Sequence, residues 1–237
     1  MKFGVVVFPG TWSDCDFHYV IGEVLRQPVS YVWHRDTTLS DFDCLLLPGG
    51  FSYGDYLRAG AIAGRSPVIE ALPEFIAGGG LVLGSCNGFQ ILCEARLLPG
   101  ALMRNECLQY RCQSTYLLVE NVETPFTRGI RPGQVLKMPI SHGEGKYYAD
   151  PETLRQLKER NRVVFRYCTE GGEITKEANP NGSQENIAGI VIEEGTVLGL
   201  MPHPERASES AMGGTDGLLL FHSLLGSLVE DGSFSKR

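Results

Sequence analysis

The chain has 237 residues, of which 43% are hydrophobic and 21% are charged, the proportions of an ordinary globular protein. Its formal net charge is -7 and no basic run offsets it, which argues against a nucleic-acid or anionic-membrane partner. A single domain of this length can bury a sizeable core. We therefore expect one domain over residues 1–237, and a partner that is either a neutral or amphoteric small molecule or another protein.

The N-terminus does not have the pattern of a targeting segment. The apolar run after Lys2 ends at Pro9-Gly10, which is too short for a signal peptide, and no stretch approaches the roughly 18 apolar residues that cross a bilayer. The seven cysteines are an odd number without a CxxC pair, which favours free, mostly buried thiols and argues against a metal site. We expect a cytoplasmic location.

Short apolar runs alternate with amphipathic segments along the chain. Continuous apolar runs are typical of strands covered on both faces, and strand–helix alternation favours a parallel sheet. The pattern predicts strands at 4–8, 31–34, 44–47, 81–84, 187–192 and 196–201, and helices at 14–26, 67–78, 87–96, 151–159 and 215–229. We expect additional antiparallel strands within 104–140 and 162–192, and an exposed polar loop or insertion at 169–186. The predicted fold is an α/β fold with an open, mostly parallel sheet flanked by helices.

The strongest local signal is LVLGSCNGFQILCEA, residues 81–95. An apolar strand runs into Gly84-Ser85-Cys86-Asn87-Gly88 and then into an amphipathic segment, which is the pattern of a nucleophile elbow with cysteine in the serine position. The following helix N-terminus favours a thiolate at Cys86. The alternative is a buried, unreactive thiol beside a tight turn, and Cys93, amid apolar neighbours, keeps that interpretation.

A thiolate nucleophile needs a base, and the base needs a group that orients it. In VLGLMPHPER, residues 197–206, two prolines bracket His203 and hold it out of helical geometry. In extended backbone, residues i and i+2 project to the same side, which places Glu205 beside His203. The alternative is a solvated His-Pro-Glu turn. His142, with Glu144 close to it in sequence, is the rival base, but it is the weaker candidate because no neighbouring proline restricts its backbone.

Acyl transfer also needs two donors for the developing oxyanion. The apolar run 44–47 ends in Pro48-Gly49-Gly50, where glycine allows a backbone N–H to approach a ligand. We predict the N–H groups of Gly50 and Asn87 as these donors. The alternatives are a glycine-rich surface turn and a phosphate-binding loop, and the segment has neither GxGxxG nor a Walker lysine.

Further polar residues are candidates for substrate contacts. Gln90 lies one helical turn after Cys86 and can face the same pocket, although alone it is more often a solvated helix residue. In MPISHGEGKYY, residues 138–148, a glycine-flanked loop carries Ser141, His142 and Gly143. These three residues can offer polar contacts to a small zwitterion.

Gly84-x-Cys86-x-Gly88-x-Gln90, together with His203-Pro204-Glu205 and the upstream PGG, resembles the class I glutamine amidotransferases. Within them, the chain is similar to the glutaminase subunits of phosphoribosylformylglycinamidine synthase. The matching segments span nearly the whole chain: PGGFSYGDYLRAGAIA (48–63), SCNGFQIL (85–92), SHGEGKYY (141–148), VVFRYC (163–168), NPNGS (179–183), NIAGI (186–190) and GLMPHPER (199–206). Two stretches depart from the family pattern, PGTWSDCDF (9–17) and TEGGEITKEA (169–178), and neither contains a triad residue.

The resemblance implies a flavodoxin-like open sheet and a carbon–nitrogen ligase component that takes ammonia from glutamine. It implies Cys86 as nucleophile with His203 and Glu205, Gly50 and Asn87 as oxyanion donors, and Gln90, Ser141 and Gly143 near glutamine. It also implies a free-standing subunit that assembles with an ATP-dependent synthetase and a small accessory subunit in purine biosynthesis. ATP and Mg²⁺ are expected on the synthetase, with no cofactor in this chain.

Other functions stay open at this point. A glutaminase could serve a different amidotransferase synthetase, and a cysteine hydrolase on a similar sheet could act on esters or peptides. A non-catalytic regulatory subunit is a third possibility, against which the intact set of Cys86, His203 and Glu205 argues.

Overall fold

The computed structural model describes residues 1–230. The strands, in chain order, are β1 Phe3–Val7, β2 Val29–Trp33, β3 Cys44–Leu47, β4 Leu81–Ser85, β5 Ala101–Met103, β6 Arg111–Val119, β7 Val135–His142, β8 Lys146–Tyr148, β9 Val163–Cys168, β10 Ile187–Val191 and β11 Val197–Leu200. The α-helices are α1 Asp14–Tyr19, α2 Pro67–Glu70, α3 Leu72–Ala77, α4 Asn87–Glu94, α5 Pro151–Glu159 and α6 Leu218–Glu230.

Nine strands form one sheet in the order β2-β1-β3-β4-β11-β10-β9-β6-β7. Neighbouring strands from β2 to β11 pair in parallel, and this half has the 2-1-3-4-5 order of flavodoxin-like folds. From β11 to β7 every pair is antiparallel. The α/β fold, its flavodoxin-like sheet and its additional antiparallel strands are therefore confirmed. The single domain over 1–237 stays a prediction, and residues 231–237 lie outside the described part.

The central parallel strands are buried on both faces, as their continuous apolar sequences predict. Every residue of β3, β4 and β11 is buried. The prediction is wrong for β2, where Tyr31 and Trp33 are exposed. This strand has a neighbour on one side only, because it forms the edge of the sheet.

Each face of the sheet carries its own core. On one face, Phe3 and Leu46 pack with Phe17 of α1 and Phe221 of α6, whose rings meet edge to face with centroids 6.1 Å apart. On the other face, α2, α3 and α4 cover the alternate strand residues, for example Leu47 against Phe89. Burying one such side chain contributes about 1.5–3 kcal/mol. The two cores hold the strand ends, and hence the functional residues, in fixed positions.

Several elements differ from their predicted bounds. The first predicted helix is a short α1 followed by a π-helical turn, Val20–Val24. The predicted helix at 67–78 is two helices, since Pro73 has no N–H to donate within the run and lies in the first turn of α3. None of the helices within residues 1–230 has the length and apolar content needed to span a membrane.

The predicted glycine-flanked loop and the predicted exposed loop both need correction. Ser141 and His142 are the last residues of β7 rather than loop residues. The polar segment 169–186 is exposed or half-buried in its first part, but Asn181 and Ser183 are buried. Asn181 Nδ2 and Ser183 Oγ both donate to Gly145 O, at 2.8 and 3.2 Å, so this segment supports the backbone that follows β7.

Candidate functional site

Cys86 lies in a strained turn between β4 and α4. Its φ of 50° and ψ of -106° are outside the ordinary regions for a non-glycine residue, and such strain costs about 1–3 kcal/mol. The turn closes only because small residues flank it: a Cβ on Gly88 would lie 2.0 Å from Leu47 O. The N–H of Cys86 donates to Leu200 O at 2.8 Å, which ties the turn to the end of β11. The geometry is that of the predicted elbow.

His203 follows β11 and is held by its neighbours on both sides. Its N–H donates to Pro139 O at 2.9 Å, and its backbone is extended. The ring Nδ1 donates to Glu205 Oε1 at 2.6 Å. Glu205 lies in a 3-10 turn, Pro204–Arg206, and not in extended backbone. The predicted contact is therefore present, but the predicted extended geometry at Glu205 is wrong, because the chain turns at Pro204 and brings the carboxylate back to the ring.

Cys86 and His203 lie side by side against the backbone of Gly49. A Cβ built on Gly49 would be 2.5 Å from His203 Cε1 and 3.3 Å from Cys86 Cβ. His203 Nε2 is buried and has no hydrogen-bond partner within residues 1–230. The Cys86 thiol instead donates to Ser141 O, at 3.6 Å. Burial lowers the pKa of His203, but the charges of Glu205 and of a Cys86 thiolate outweigh it and raise the pKa above its usual value. The surroundings of His203 thus favour its imidazolium form.

The two predicted oxyanion donors are on either side of this pair. Gly50 adopts φ of 143°, and a Cβ there would lie 2.6 Å from Trp12 N. Asn87 is the first residue of α4, where N–H groups have no partner within the helix. Neither N–H donates to a backbone or side-chain acceptor in the described part of the chain. Their role as oxyanion donors stays a prediction.

Beside Cys86 is a cavity of about 190 Å³. It is lined by Gly50, Phe51, Asp55, Cys86, Gln90, Tyr110, Ser141, His142, Gly143 and Glu144. The four residues predicted to contact a substrate are thus together. Gln90 Nε2 already donates to Glu144 O at 2.6 Å, and its Oε1 accepts from Asn87 Nδ2 at 2.8 Å. Gln90 therefore fixes the cavity wall, and its contact with a substrate stays a prediction.

His142 is present at the cavity but is not arranged as a base. It is buried, and in the neutral tautomer its Nδ1–H donates to Asn105 Oδ1 at 3.1 Å while Nε2 is 3.5 Å from Asn181 Nδ2. Burial, followed by the charge of His203, lowers the pKa of His142 to about 4. Both ring nitrogens are thus engaged in structural contacts, which leaves His203 as the better placed base.

Three polar cavity residues, Asp55, Tyr110 and Glu144, were not identified as site residues from the sequence. Tyr110 Oη hydrogen-bonds Ser141 Oγ at 2.8 Å, and Asp55 and Glu144 bring two carboxylates to the cavity. A sequence signal existed for Glu144, which follows His142 in the glycine-flanked segment. Asp55 lies in the family-like segment 48–63, whereas Tyr110 lies in a segment without a periodic pattern, and only the folded arrangement places both side chains at the cavity.

A larger cavity, of about 760 Å³, lies elsewhere in the described residues. It opens between the segment before β3 and the segment between α3 and β4, where these strands begin. No cysteine or histidine lines it, and Asp43 and Glu74 are its charged residues.

Within residues 1–230, no group of three or more His, Cys, Asp or Glu side chains is placed to hold a metal ion. All seven cysteines are free thiols; Cys15, Cys107 and Cys112 are exposed and the other four are buried.

Comparison with known proteins gives a consistent result. The family model for the CobB/CobQ-like glutamine amidotransferase domain matches residues 2–214. The chain is 61% identical over 225 residues to phosphoribosylformylglycinamidine synthase subunit PurQ of Moorella thermoacetica, covering 95% of each chain. It is 56% identical to the PurQ subunit of Koribacter versatilis, covering 97% of this chain and 100% of that one.

Solved structures are similar over nearly the same length. A chain in the structure of PurLQS from Thermotoga maritima has a TM-score of 0.84 and 41% identity, covering 96% of this chain and 98% of that one. A glutamine amidotransferase from Thermotoga maritima is similar in fold, with a TM-score of 0.55 and 14% identity over 98% of this chain and 85% of that one. The chain therefore belongs to the family of CobB/CobQ-like glutamine amidotransferase domains and, within it, to the branch formed by the PurQ subunits of phosphoribosylformylglycinamidine synthase.

Proposed function

We propose that this chain is the glutaminase subunit of phosphoribosylformylglycinamidine synthase and that it hydrolyses glutamine to glutamate and ammonia. The observation that carries the proposal is the joint position of Cys86, His203 and Glu205 beside a small polar cavity. A nucleophile, a base and an orienting carboxylate are the groups that acyl transfer needs. The family assignment supports glutamine as the acyl donor.

In the first half-reaction, the Cys86 thiolate attacks the side-chain amide carbon of glutamine. The carbonyl π bond opens and leaves a negative charge on oxygen, for which we propose the N–H groups of Gly50 and Asn87 as donors. Loss of one such donor typically costs about 2.7–4 kcal/mol of barrier. His203, protonated on Nε2, gives that proton to the departing nitrogen as the carbon–nitrogen bond breaks. Ammonia leaves, and a thioester of Cys86 stays behind.

In the second half-reaction, neutral His203 takes a proton from water through Nε2. The resulting hydroxide adds to the thioester carbonyl carbon, and collapse of the tetrahedral intermediate breaks the carbon–sulfur bond. The product carboxylic acid gives its proton to solvent and leaves as glutamate, and thiolate and imidazolium are restored. Glu205 keeps the ring in one orientation throughout, since it accepts from Nδ1 at 2.6 Å and is fully buried. The cycle uses only groups of this chain and water.

The ammonia serves a second active site on another subunit. We infer that this chain assembles with a synthetase of the PurL kind and a small subunit of the PurS kind, on the strength of its similarity to a chain of PurLQS. The synthetase binds ATP and Mg²⁺ and converts formylglycinamide ribonucleotide to the amidine, whereas this chain binds no cofactor. Ammonia passes through the interface, because ammonia released into water is largely protonated. The complex acts in the cytoplasm, the location that goes with purine biosynthesis.

The test is Cys86→Ala in the reconstituted complex. Glutamine-driven formation of the amidine should disappear, while synthesis driven by added ammonia should survive. The matched control is Cys107→Ala. Cys107 is an exposed thiol that does not line the cavity, and hydrogen bonding at the Gln109 backbone together with the nearby Arg111 lowers its pKa, so its loss tests whether any accessible thiol suffices. Retention of glutamine-driven synthesis in Cys86→Ala would disprove the nucleophile assignment.

A further inference from the structure

Two carboxylates line the cavity beside Cys86. They belong to Asp55 and Glu144, and none of the described residues that line the cavity is Lys or Arg. Asp55 Oδ1 is buried and has no hydrogen-bond partner within residues 1–230. Glu144 Oε1 is 3.7 Å from Arg104 Nε, on a side chain that is 81% exposed, so this contact is weak. A buried carboxylate oxygen without a partner is costly unless a ligand supplies one.

The backbone at Asp55 is in the left-handed region, which residues other than glycine rarely adopt. Tyr53, Gly54, Asp55 and Leu57 all have φ between 54° and 70°, and each non-glycine residue among them costs about 1–3 kcal/mol. The segment is fixed on both sides of Asp55. Tyr53 Oη lies 2.9 Å from His34 Nδ1, and Arg58 donates twice to the Glu94 carboxylate. Strain that is maintained in this way is typical of ligand-binding segments.

Glu144, which lines the same cavity, is fixed through its backbone. Its carbonyl oxygen accepts from Gln90 Nε2, one helical turn after the nucleophile. Its charge reaches Asp55: burial, followed by Glu144, raises the pKa of Asp55 to about 6. Two carboxylates that repel each other in a half-buried cavity are both stabilised when a cation enters between them.

We propose that Asp55, assisted by Glu144, binds the α-ammonium group of glutamine and so selects amides that carry this group. The inference rests on the proposed glutaminase function. Glutamine has one cationic group, at the opposite end of the molecule from the amide that Cys86 attacks. The thiol and both carboxylates line the same cavity, so we place the ammonium group of a bound glutamine at the carboxylates and its amide at the thiol. Asp55 is thus a specificity residue that touches the substrate but not the reacting bond.

The experiment measures binding to the complex with the synthetase in a Cys86→Ala background, so that no ligand is turned over. The ligands are L-glutamine and glutaramate, which is glutamine without its α-amino group. We expect Asp55→Asn to weaken glutamine binding about 10- to 100-fold, the size of one lost charge-assisted hydrogen bond, and to leave glutaramate binding unchanged. Asp55→Glu should recover part of the loss. Asp41→Asn, at an exposed carboxylate, is the matched control and should bind both ligands normally.

Two outcomes would overturn the proposal. Equal weakening of glutamine and glutaramate would mean that Asp55 only maintains the shape of the 53–57 segment. Unchanged glutamine binding would mean that another group binds the ammonium. Failure of the glutaminase function itself would appear separately, as a complex with the natural Cys86 that makes no amidine from glutamine but makes it from ammonia.

Discussion

His203 Nδ1 and Glu205 Oε1 are 2.6 Å apart, although Pro204 stands between the two residues and the chain turns there. The turn allows the contact, because it brings the carboxylate to Nδ1 of the ring. Glu205 is fully buried, and Ser85 Oγ, one residue before the nucleophile, lies 3.4 Å from the same oxygen. The orienting carboxylate is thus connected to both β4 and β11, the two strands that carry the nucleophile and the base.

This contact predicts the effect of Glu205→Gln. The glutamine side chain has the same shape as glutamate but carries no negative charge to stabilise an imidazolium. His203 therefore loses its charge partner and its fixed orientation. We expect kcat for glutamine hydrolysis to fall by about 100-fold or more. Steady-state kinetics of the complex measure it, with ammonia-driven synthesis as the internal control. A decrease of less than about threefold would contradict the role of Glu205.

A second prediction concerns the space between nucleophile and base. In Gly49→Ala the new methyl group would lie 2.5 Å from His203 Cε1, so the ring must move. A displacement of about 1 Å at a reacting group can cost about 100-fold in rate, and we expect a loss of this order in kcat. Gly214→Ala is the control, since a Cβ there meets nothing within 4 Å. Full activity of Gly49→Ala would contradict the proposed closeness of the two side chains.

A third prediction follows from the buried His142. Its pKa in the folded protein, about 4, is below its ordinary value of 6.5, so the unfolded chain binds a proton more readily. The folded state therefore loses stability as pH falls from 6.5 to 4, by at most about 1.4 kcal/mol per pH unit. His142→Gln should remove this part of the pH dependence, measured as the free energy of unfolding in urea at several pH values. An imidazole resonance of His142 that titrates near its ordinary pKa by NMR would refute it.

The fourth prediction concerns the stability of Asp55→Asn without substrate. The pKa of Asp55, about 6, exceeds the ordinary 3.8, so the folded state binds its proton more tightly. The ionised carboxylate consequently destabilises the fold above about pH 6, and this effect is absent below 3.8. Asp55→Asn should unfold at an equal or higher temperature than the natural protein at about pH 7.5. A clearly lower unfolding temperature would show that Asp55 stabilises the fold and is not held there for a ligand.

The amino-acid sequence by itself determined the features that depend on neighbouring residues. The elbow at Cys86, the glycine turn at Gly50 and the proline-bracketed His203 are set by local backbone freedom, and the apolar runs determined the central strands. Only the tertiary structure decided which distant segments share a wall of the cavity. Asp55 and Glu144 come from different parts of the chain, and His142 becomes neutral because the fold buries it beside His203. Burial and the meeting of charges depend on long-range packing, which local sequence patterns do not encode.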